Sequence, residues 1–285
     1  MVIDDRVRAI ALALTNRVGA KLIERLLAHF GSYEAILSAD VTALRRVSGI
    51  GPQISASIRA IKVEQVAHDL QRFSASGIST TLWNEAAFPS ALAALPDHPL
   101  VVFMRGTYTD DDQRAVAIVG TREASAAGLE LTAWWAREFA KAGYTVISGL
   151  ARGIDTQAHQ QALAAGGRSI AVLGGGINRV YPPENAALAI EVHTAGAVMC
   201  EVHPDVNPAP NALVMRNRLI TGLSRAVLVM ECGVDSGAMD AARRAHAQGR
   251  PVYATANSPG TRHLLATFAR PLPESVDALL TQISL

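Results

Sequence analysis

Three arginines between residues 120 and 180, Arg122, Arg152 and Arg179, follow glycine-bearing turns. Arg122 closes Gly120-Thr121-Arg122, Arg152 lies in Ser148-Gly149-Leu150-Ala151-Arg152-Gly153-Ile154-Asp155, and Arg179 follows Gly174-Gly175-Gly176, just before Tyr181-Pro182-Pro183-Glu184-Asn185. The chemistry these residues can do is anion binding. Glycine lets backbone amides approach a phosphate, a following helix N-terminus favours negative charge, and arginine supplies a planar fork of donors. One such turn would serve sheet geometry alone; three at successive strand ends favour a phosphate-binding rim. Arg216-Asn217-Arg218 adds two more cations, which diverge by about 200° on a helix of 3.6 residues per turn. They cannot share a face, so one is expected to reach the rim while the other pairs with an acid such as Glu201 or Glu231. Ser236-Gly237 opens a further helix whose N-terminus offers another anion seat.

Other polar residues read more plainly. Asp155 is expected to cap its helix, since aspartate accepts from exposed N–H groups, and His159 is expected to pack rather than to act as a base. Asp240 places an acid near the rim, where it would repel phosphate. The chain has no Gly-x4-Gly-Lys-Ser/Thr loop, no Gly-x-Gly-x-x-Gly fingerprint, no Gly-x-Ser-x-Gly elbow and no His-Glu-x-x-His, so the corresponding ATPase, nicotinamide, hydrolase and zinc chemistries are not supported. Cys200 and Cys232 stand 32 positions apart with no Cys-x-x-Cys pair, so neither a disulfide scaffold nor a zinc ribbon is expected. No catalytic residue, metal or cofactor is expected.

The elements that must position the rim begin after Arg114. Apolar runs at Ala115–Val119, Tyr144–Ser148, Ser169–Leu173, Ala197–Cys200, Ala226–Met230 and Val252–Thr255 alternate with helical stretches at Leu129–Ala142, Thr156–Ala165, Glu184–Thr194, Arg216–Leu223 and Gly237–Gln248. Fully apolar strands alternating with helices predict a doubly wound, Rossmann-like parallel sheet over 115–285, whose ligands bind at the carboxyl ends of the strands. Residues 71–114, with Phe88-Pro89, Leu95-Pro96, His98-Pro99 and the acidic run Asp110-Asp111-Asp112, read as a linker with an edge strand at Val101–Met104. Residues 1–70 carry apolar positions at three-to-four spacing and read as a small all-α domain. Its turns Arg17-Val18-Gly19-Ala20 and Ser48-Gly49-Ile50-Gly51-Pro52 repeat one hairpin-then-helix unit, resembling a paired helix-hairpin-helix (SAM-like) module; Gly49 and Gly51 could hold a duplex phosphate there or serve as plain packing turns.

Composition bounds the partner weakly. The 285 residues carry 26 Lys+Arg against 25 Asp+Glu, a net charge of +1 with 49% hydrophobic residues. Phosphate binding must therefore rest on local clusters. Only Lys21, Lys62 and Lys141 among the basic residues are lysines, but a GC-rich genome gives the same bias, so positions matter and the bulk count does not. No apolar run of about eighteen residues and no basic-then-apolar leader is present, which points to the cytoplasm.

The run Val116–Gly120 with Thr121-Arg122, Ser148 to Asp155, Ala158-His159, Ala171–Gly176, Tyr181–Asn185 and Arg216-Asn217-Arg218, in that order, strongly resembles the DNA-processing protein A family, also called DprA or Smf. The likeness is close over about residues 115–256. It implies a non-enzymatic, dimeric protein that binds single-stranded DNA in a basic pocket of an extended Rossmann fold and assists loading of the RecA recombinase in natural transformation. Arg122, Arg152, Arg216 and Arg218 fall on its motif positions and are the first candidates to contact the strand, with Arg179 less securely matched and Tyr181 the aromatic at the rim. Gly120, Thr121, Ser148, Gly149, Gly174, Gly175, Asn185, Ser236 and Gly237 complete the expected site. Pro259-Gly260-Thr261-Arg262-His263 resembles a family stretch with Arg262 in place of asparagine, adding a phosphate contact. The winged-helix-like domain of many relatives is expected to be missing after Leu285. Two other classes compete: a nucleotide phosphoribohydrolase, whose Pro-Gly-Gly-x-Gly-Thr-x-x-Glu motif is replaced here by Glu231-Cys232-Gly233-Val234-Asp235-Ser236-Gly237, and a sensor that binds a small nucleotide without turnover.

Overall fold

The computed structural model describes residues 3–283. It divides into two compact units, one formed by the chain up to Phe88 with Pro96–Phe103, the other by Pro89–Leu95 and the described residues from Met104 onward. The first unit holds six helices, α1 (Asp5–Ala13), α2 (Ala20–Phe30), α3 (Tyr33–Ser38), α4 (Val41–Leu44), α5 (Pro52–Arg59) and α6 (Val63–Ala75), followed by β1 (Ile78–Leu82). The three-to-four spacing buries Leu22, Ile23 and Leu26 of α2 against Leu12, Ile36, Leu44 and Ile58. Gly19 and Gly51 are the N-caps of α2 and α5, and Pro52 takes the first position of α5, where its missing N–H costs no helical hydrogen bond. Gly49 has φ +95°, a conformation that a β-carbon disfavours.

The stretch 71–114 is more structured than a linker with one edge strand. Besides β1 it contains α7 (Ser90–Ala93) and β2 (Val101–Gly106), and the unit boundary falls inside β2. The second unit then runs β3 (Ala115–Val119), α8 (Ala126–Lys141), β4 (Thr145–Ser148), α9 (Ile154–Ala164), β5 (Ser169–Val172), α10 (Ala186–Ala195), β6 (Ala197–Cys200), α11 (Pro210–Met215), α12 (Asn217–Gly222), β7 (Ala226–Val229), α13 (Gly237–Ala247), β8 (Val252–Ala254), α14 (Pro259–Thr267), β9 (Arg270–Pro271) and α15 (Val276–Ile283). Strands lie in the order β6-β5-β4-β3-β7-β8-β9, and each adjacent pair is parallel. All five residues of β3 are buried, as a parallel strand covered on both faces requires. Every expected strand from 115 onward forms within a residue or so of its expected limits. The order reverses at β3, flanked by β4 on one side and β7 on the other, and such a switch point opens a crevice at the strand ends.

A buried polar node fastens the start of the β3–β4 layer. Asp112 is fully buried and accepts from Arg168 Nε and Nη2 (2.9 and 2.8 Å), from Thr145 Oγ1 (2.7 Å) and from the Thr109 N–H (2.8 Å). Burial pushes its carboxyl up, but hydrogen bonds from Arg168, Thr145 and Thr109 outweigh it, and the pKa lies below the ordinary aspartate value. A depressed pKa stabilises the fold fully above the unfolded value near 4, and this stabilisation fades as pH falls through the folded value. Asp112→Ala is therefore expected to lose about 3 kcal/mol at pH 7, measured by urea unfolding, with the gap from wild type narrowing below about pH 4.

Candidate functional site

The loop leaving β4 carries the one non-glycine residue with positive φ among the described residues of the second unit. Leu150 is buried with φ +59°, a left-handed conformation that costs a non-glycine residue about 1–2 kcal/mol. Three hydrogen bonds hold it. The N–H groups of Gly149 and Ala151 donate to Asp155 Oδ2 (3.1 and 3.4 Å), and Asn185 Nδ2 donates to the Leu150 carbonyl (2.8 Å). Asp155 is thus not the cap of α9; that position is Gly153, with φ +71°. A β-carbon on Gly153 would lie 2.4 Å from the Thr121 carbonyl, so only glycine lets the β4 loop close against the β3 loop. Asp155 spends its oxygens backwards on the loop because the chain folds over it before the helix begins.

Arg216 lies beneath that loop. It is buried, its Nη2 is 3.9 Å from Asp155 Oδ2, and it donates to the carbonyls of Val172 (2.5 Å) and Leu213 (3.3 Å). Burial pushes the Asp155 carboxyl up and the Arg216 guanidinium down, each partner opposing the shift of the other. A β-carbon on Gly149 would fall 1.8 Å from Arg216 Nη1, so glycine at 149 makes room for the guanidinium.

Above this floor opens a cleft of about 550 Å³ at the ends of β3, β4 and β7. Gly120, Thr121, Arg122, Tyr181, Arg216, Ser236 and Gly237 of the expected set line it, and a recess off the same cleft adds Gly149 and Arg152. Arg122 is exposed and forms no ion pair among the described residues. Arg152 is exposed but bonded to Glu184. Ser236 caps α13, accepting from the Met239 N–H at 3.3 Å. Tyr181 is 44% exposed at the rim.

The remaining expected residues lie outside the cleft lining. Ser148 is buried and donates to the Ile118 carbonyl (2.7 Å), and Asn185 ties the β4 loop to Thr156 Oγ1 (2.8 Å). β-Carbons on Gly174 and Gly175 would lie 2.7 Å from Leu213 and 3.0 Å from Pro208; these glycines seat the segment carrying α11. Arg218 is buried against Glu201, so the two arginines do diverge, with Arg216 toward the cleft. Glu231 takes neither; it accepts from the Ser125 N–H and hydroxyl (both 3.0 Å) at the start of α8. Arg179 lines a different hollow, and Arg262 is exposed on α14, donating to the Ala256 carbonyl (3.3 Å). Gly49 and Gly51 belong to the first unit.

Asp240 does not face the cleft as an unpaired acid. It accepts from Arg244 Nε (2.7 Å), one turn along α13, and from Asn217 Nδ2 (3.0 Å). His159 is fully buried with Nδ1 on Ser169 Oγ (2.7 Å), and burial with the nearby Arg216 charge pushes its pKa down to about 3. It is a neutral packing histidine. Sequence reasoning missed the α11 wall, where Pro210, Leu213 and Val214 line the cleft. The signal was present, since Pro210 begins an Asn-Ala-Leu-Val-Met run and proline favours the first helical position.

The profile of the DNA recombination-mediator protein A family matches residues 79–284. The chain belongs to that family. A SAM-like helix-hairpin-helix tandem matches residues 11–60. The protein Smf of Synechocystis is 33% identical over 88% of this chain and 64% of its own length, and the DNA processing protein DprA of Bacillus subtilis is 35% identical over 72% and 71%. The chain thus spans less than two thirds of the Synechocystis relative and 45% of the Escherichia coli protein Smf. Among solved structures, DprA of Streptococcus pneumoniae superposes with a TM-score of 0.77 at 26% identity, covering 98% of this chain and 97% of that one. DNA processing protein A of Helicobacter pylori, solved for its single-stranded DNA binding mode, gives 0.65 at 28% identity over 73% of this chain and 95% of its own. The cleft of this family member carries an exposed cation without an ion pair among the described residues on the Gly-Thr-Arg turn.

Two rim glycines separate geometry from tolerance. Gly149→Ala is expected to lose more than about 2 kcal/mol of stability, because the methyl group displaces buried Arg216. Gly237→Ala meets nothing within 4 Å and is expected to be neutral or to gain up to about 1 kcal/mol. Thermal and urea unfolding of both variants checks the contrast.

Proposed function

We propose that the protein binds single-stranded DNA in the cleft at the ends of β3, β4 and β7, protects it, and hands it to the RecA recombinase in natural transformation and recombination. The observation that carries this reading is Arg122, an exposed guanidinium without an ion pair among the described residues, placed on a glycine turn beside a second rim cation, Arg152. An arginine left unpaired beside a sheet-top cleft neutralises phosphate without reading sequence. Tyr181 supplies an exposed ring, and stacking on an aromatic, which contributes about 1–3 kcal/mol per base, needs an unpaired base. That favours single strands over duplex. Family membership supports the recombinase partner, the homodimer and a cytoplasmic setting, and among the described residues no helix is long and apolar enough to cross a membrane. The buried carboxylate at the cleft, Asp155, is committed to two backbone amides and Arg216, which supports a binding protein rather than an enzyme.

Fluorescence anisotropy of labelled single-stranded and duplex oligonucleotides over a salt series tests the reading. Wild type is expected to prefer the single strand, with log affinity falling against log salt by about 0.7 per phosphate neutralised. Arg122→Ala is expected to bind at least about tenfold more weakly, with the slope reduced by about 0.7. Equal binding by wild type and variant, or no single-strand binding at all, overturns the assignment and brings small nucleotides forward as ligands.

Arg152 offers a test of opposite sign. Its guanidinium is held by Glu184 at the surface, and the same pairing keeps the Glu184 carboxyl below its ordinary range. Glu184→Gln releases the arginine and removes a negative charge from the rim. Single-strand affinity is expected to rise several-fold at low salt and to converge with wild type at high salt, as screening removes the difference; the same anisotropy assay measures it.

A further inference from the structure

A second hollow, of about 540 Å³, lies on the other side of the loop that carries Tyr181. That loop has two faces. Tyr181 and Pro182 border the main cleft and its recess, whereas Arg179, Val180 and Pro183 line the second hollow together with Arg105 and residues of α10. Arg105 Nη2 donates to Asn178 Oδ1 (3.2 Å), and Asn178 Nδ2 donates to Asp205 Oδ1 (2.8 Å), so a neutral amide stands between this arginine and the nearby carboxylate. Arg179 Nε reaches only the Asp205 carbonyl, at 3.4 Å. Arg105 and Arg179 form no ion pair among the described residues; Arg114, Arg137 and Arg225 also bond only to carbonyl or amide oxygens, but Arg105 and Arg179 are brought together in one hollow.

The hollow is amphiphilic. Ile190, 59% exposed, and His193 belong to its α10 wall. Burial and the Arg105 charge hold His193 below the ordinary histidine range, which agrees with a positive potential there. Two uncompensated guanidinium groups beside an exposed aliphatic surface suit one chemical class, a nucleotide with its phosphate on the arginines and its base against Ile190.

Resting on the single-strand reading of the main cleft, we propose that the strand crosses Tyr181 and that Arg105 and Arg179 hold a further phosphate in this second hollow. The two sites then form one track with the aromatic ring as its ridge. Short strands fill the main cleft alone, and longer ones gain the second contact.

The test is anisotropy with labelled oligothymidylates of about 4 and about 16 nucleotides, the range of site sizes that OB-fold single-strand binders cover, on wild type and on Arg105→Glu/Arg179→Glu. Arg179 is exposed and Arg105 half-buried at the edge of the hollow, and binding of the short strand reports that the variant is folded. The expected result is unchanged affinity for the short strand, at least about tenfold loss for the long one, and a long-strand salt slope lower by about 0.7 per phosphate released. Arg105→Lys/Arg179→Lys, which keeps the charge, is expected to recover most of the loss. Unchanged long-strand binding, or equal loss at both lengths, overturns the second site while leaving the main cleft standing; failure of wild type to bind either strand overturns both.

Discussion

A carboxylate and a guanidinium buried together at the sheet top organise the second unit. Two opposite charges removed from water gain little net stability unless further hydrogen bonds satisfy them. Asp155 and Arg216 obtain those bonds from the backbone around them: Asp155 from the amides of Gly149 and Ala151, Arg216 through the carbonyls of Val172 and Leu213. The pair thereby joins the β4 loop, the end of β5 and the start of α12. Leu150 is held in its left-handed conformation inside this network, and Gly149 and Gly153 are glycine because the guanidinium on one side and the Thr121 carbonyl on the other leave no room for a methyl group.

Rigidity at the floor leaves the rim free for a ligand. The arginines of the second unit divide by what holds them. Arg216 and Arg218 are buried with Asp155 and Glu201, and Arg168 spans Asp112; these serve the fold. Arg152 is exposed yet held by Glu184. Apart from Arg244, paired with Asp240, the others have no carboxylate partner among the described residues, and of these Arg122, Arg105 and Arg179 line the two hollows. A net charge of +1 says little about the rim, where the unpaired Arg122 stands beside Glu123 in the cleft lining.

The α11 segment shows how a wall of the cleft is seated on glycines outside its lining. Gly174, Gly175 and Gly176 admit the backbone of residues 204–213 closely enough that Leu213 and Val214 reach the cleft. Gly174 and Gly175, expected as phosphate-binding glycines, lie outside the cleft lining and pack against that segment. Asn185 has a similar place, fixing the Leu150 carbonyl from the next loop. Such residues carry the same sequence signature as direct contacts, since both uses demand small or hydrogen-bonding side chains at strand ends.

Periodicity and composition alone determined the layered α/β architecture, the six main strands, the helical first unit with its glycine turns, and the divergence of Arg216 from Arg218. These follow from local rules: the 3.6-residue turn, the apolar run of a covered strand, and the backbone freedom of glycine. Only tertiary structure decided that Asp155 serves the loop before it rather than capping its helix, and that Glu201 rather than Glu231 takes Arg218. It also placed Arg179 with Arg105 rather than with Arg122. Within one helix the spacing of an acid and a base can encode their pairing, as for Asp240 and Arg244, but pairing between elements depends on which loops meet across strands distant in sequence, and spacing along the chain does not encode that meeting.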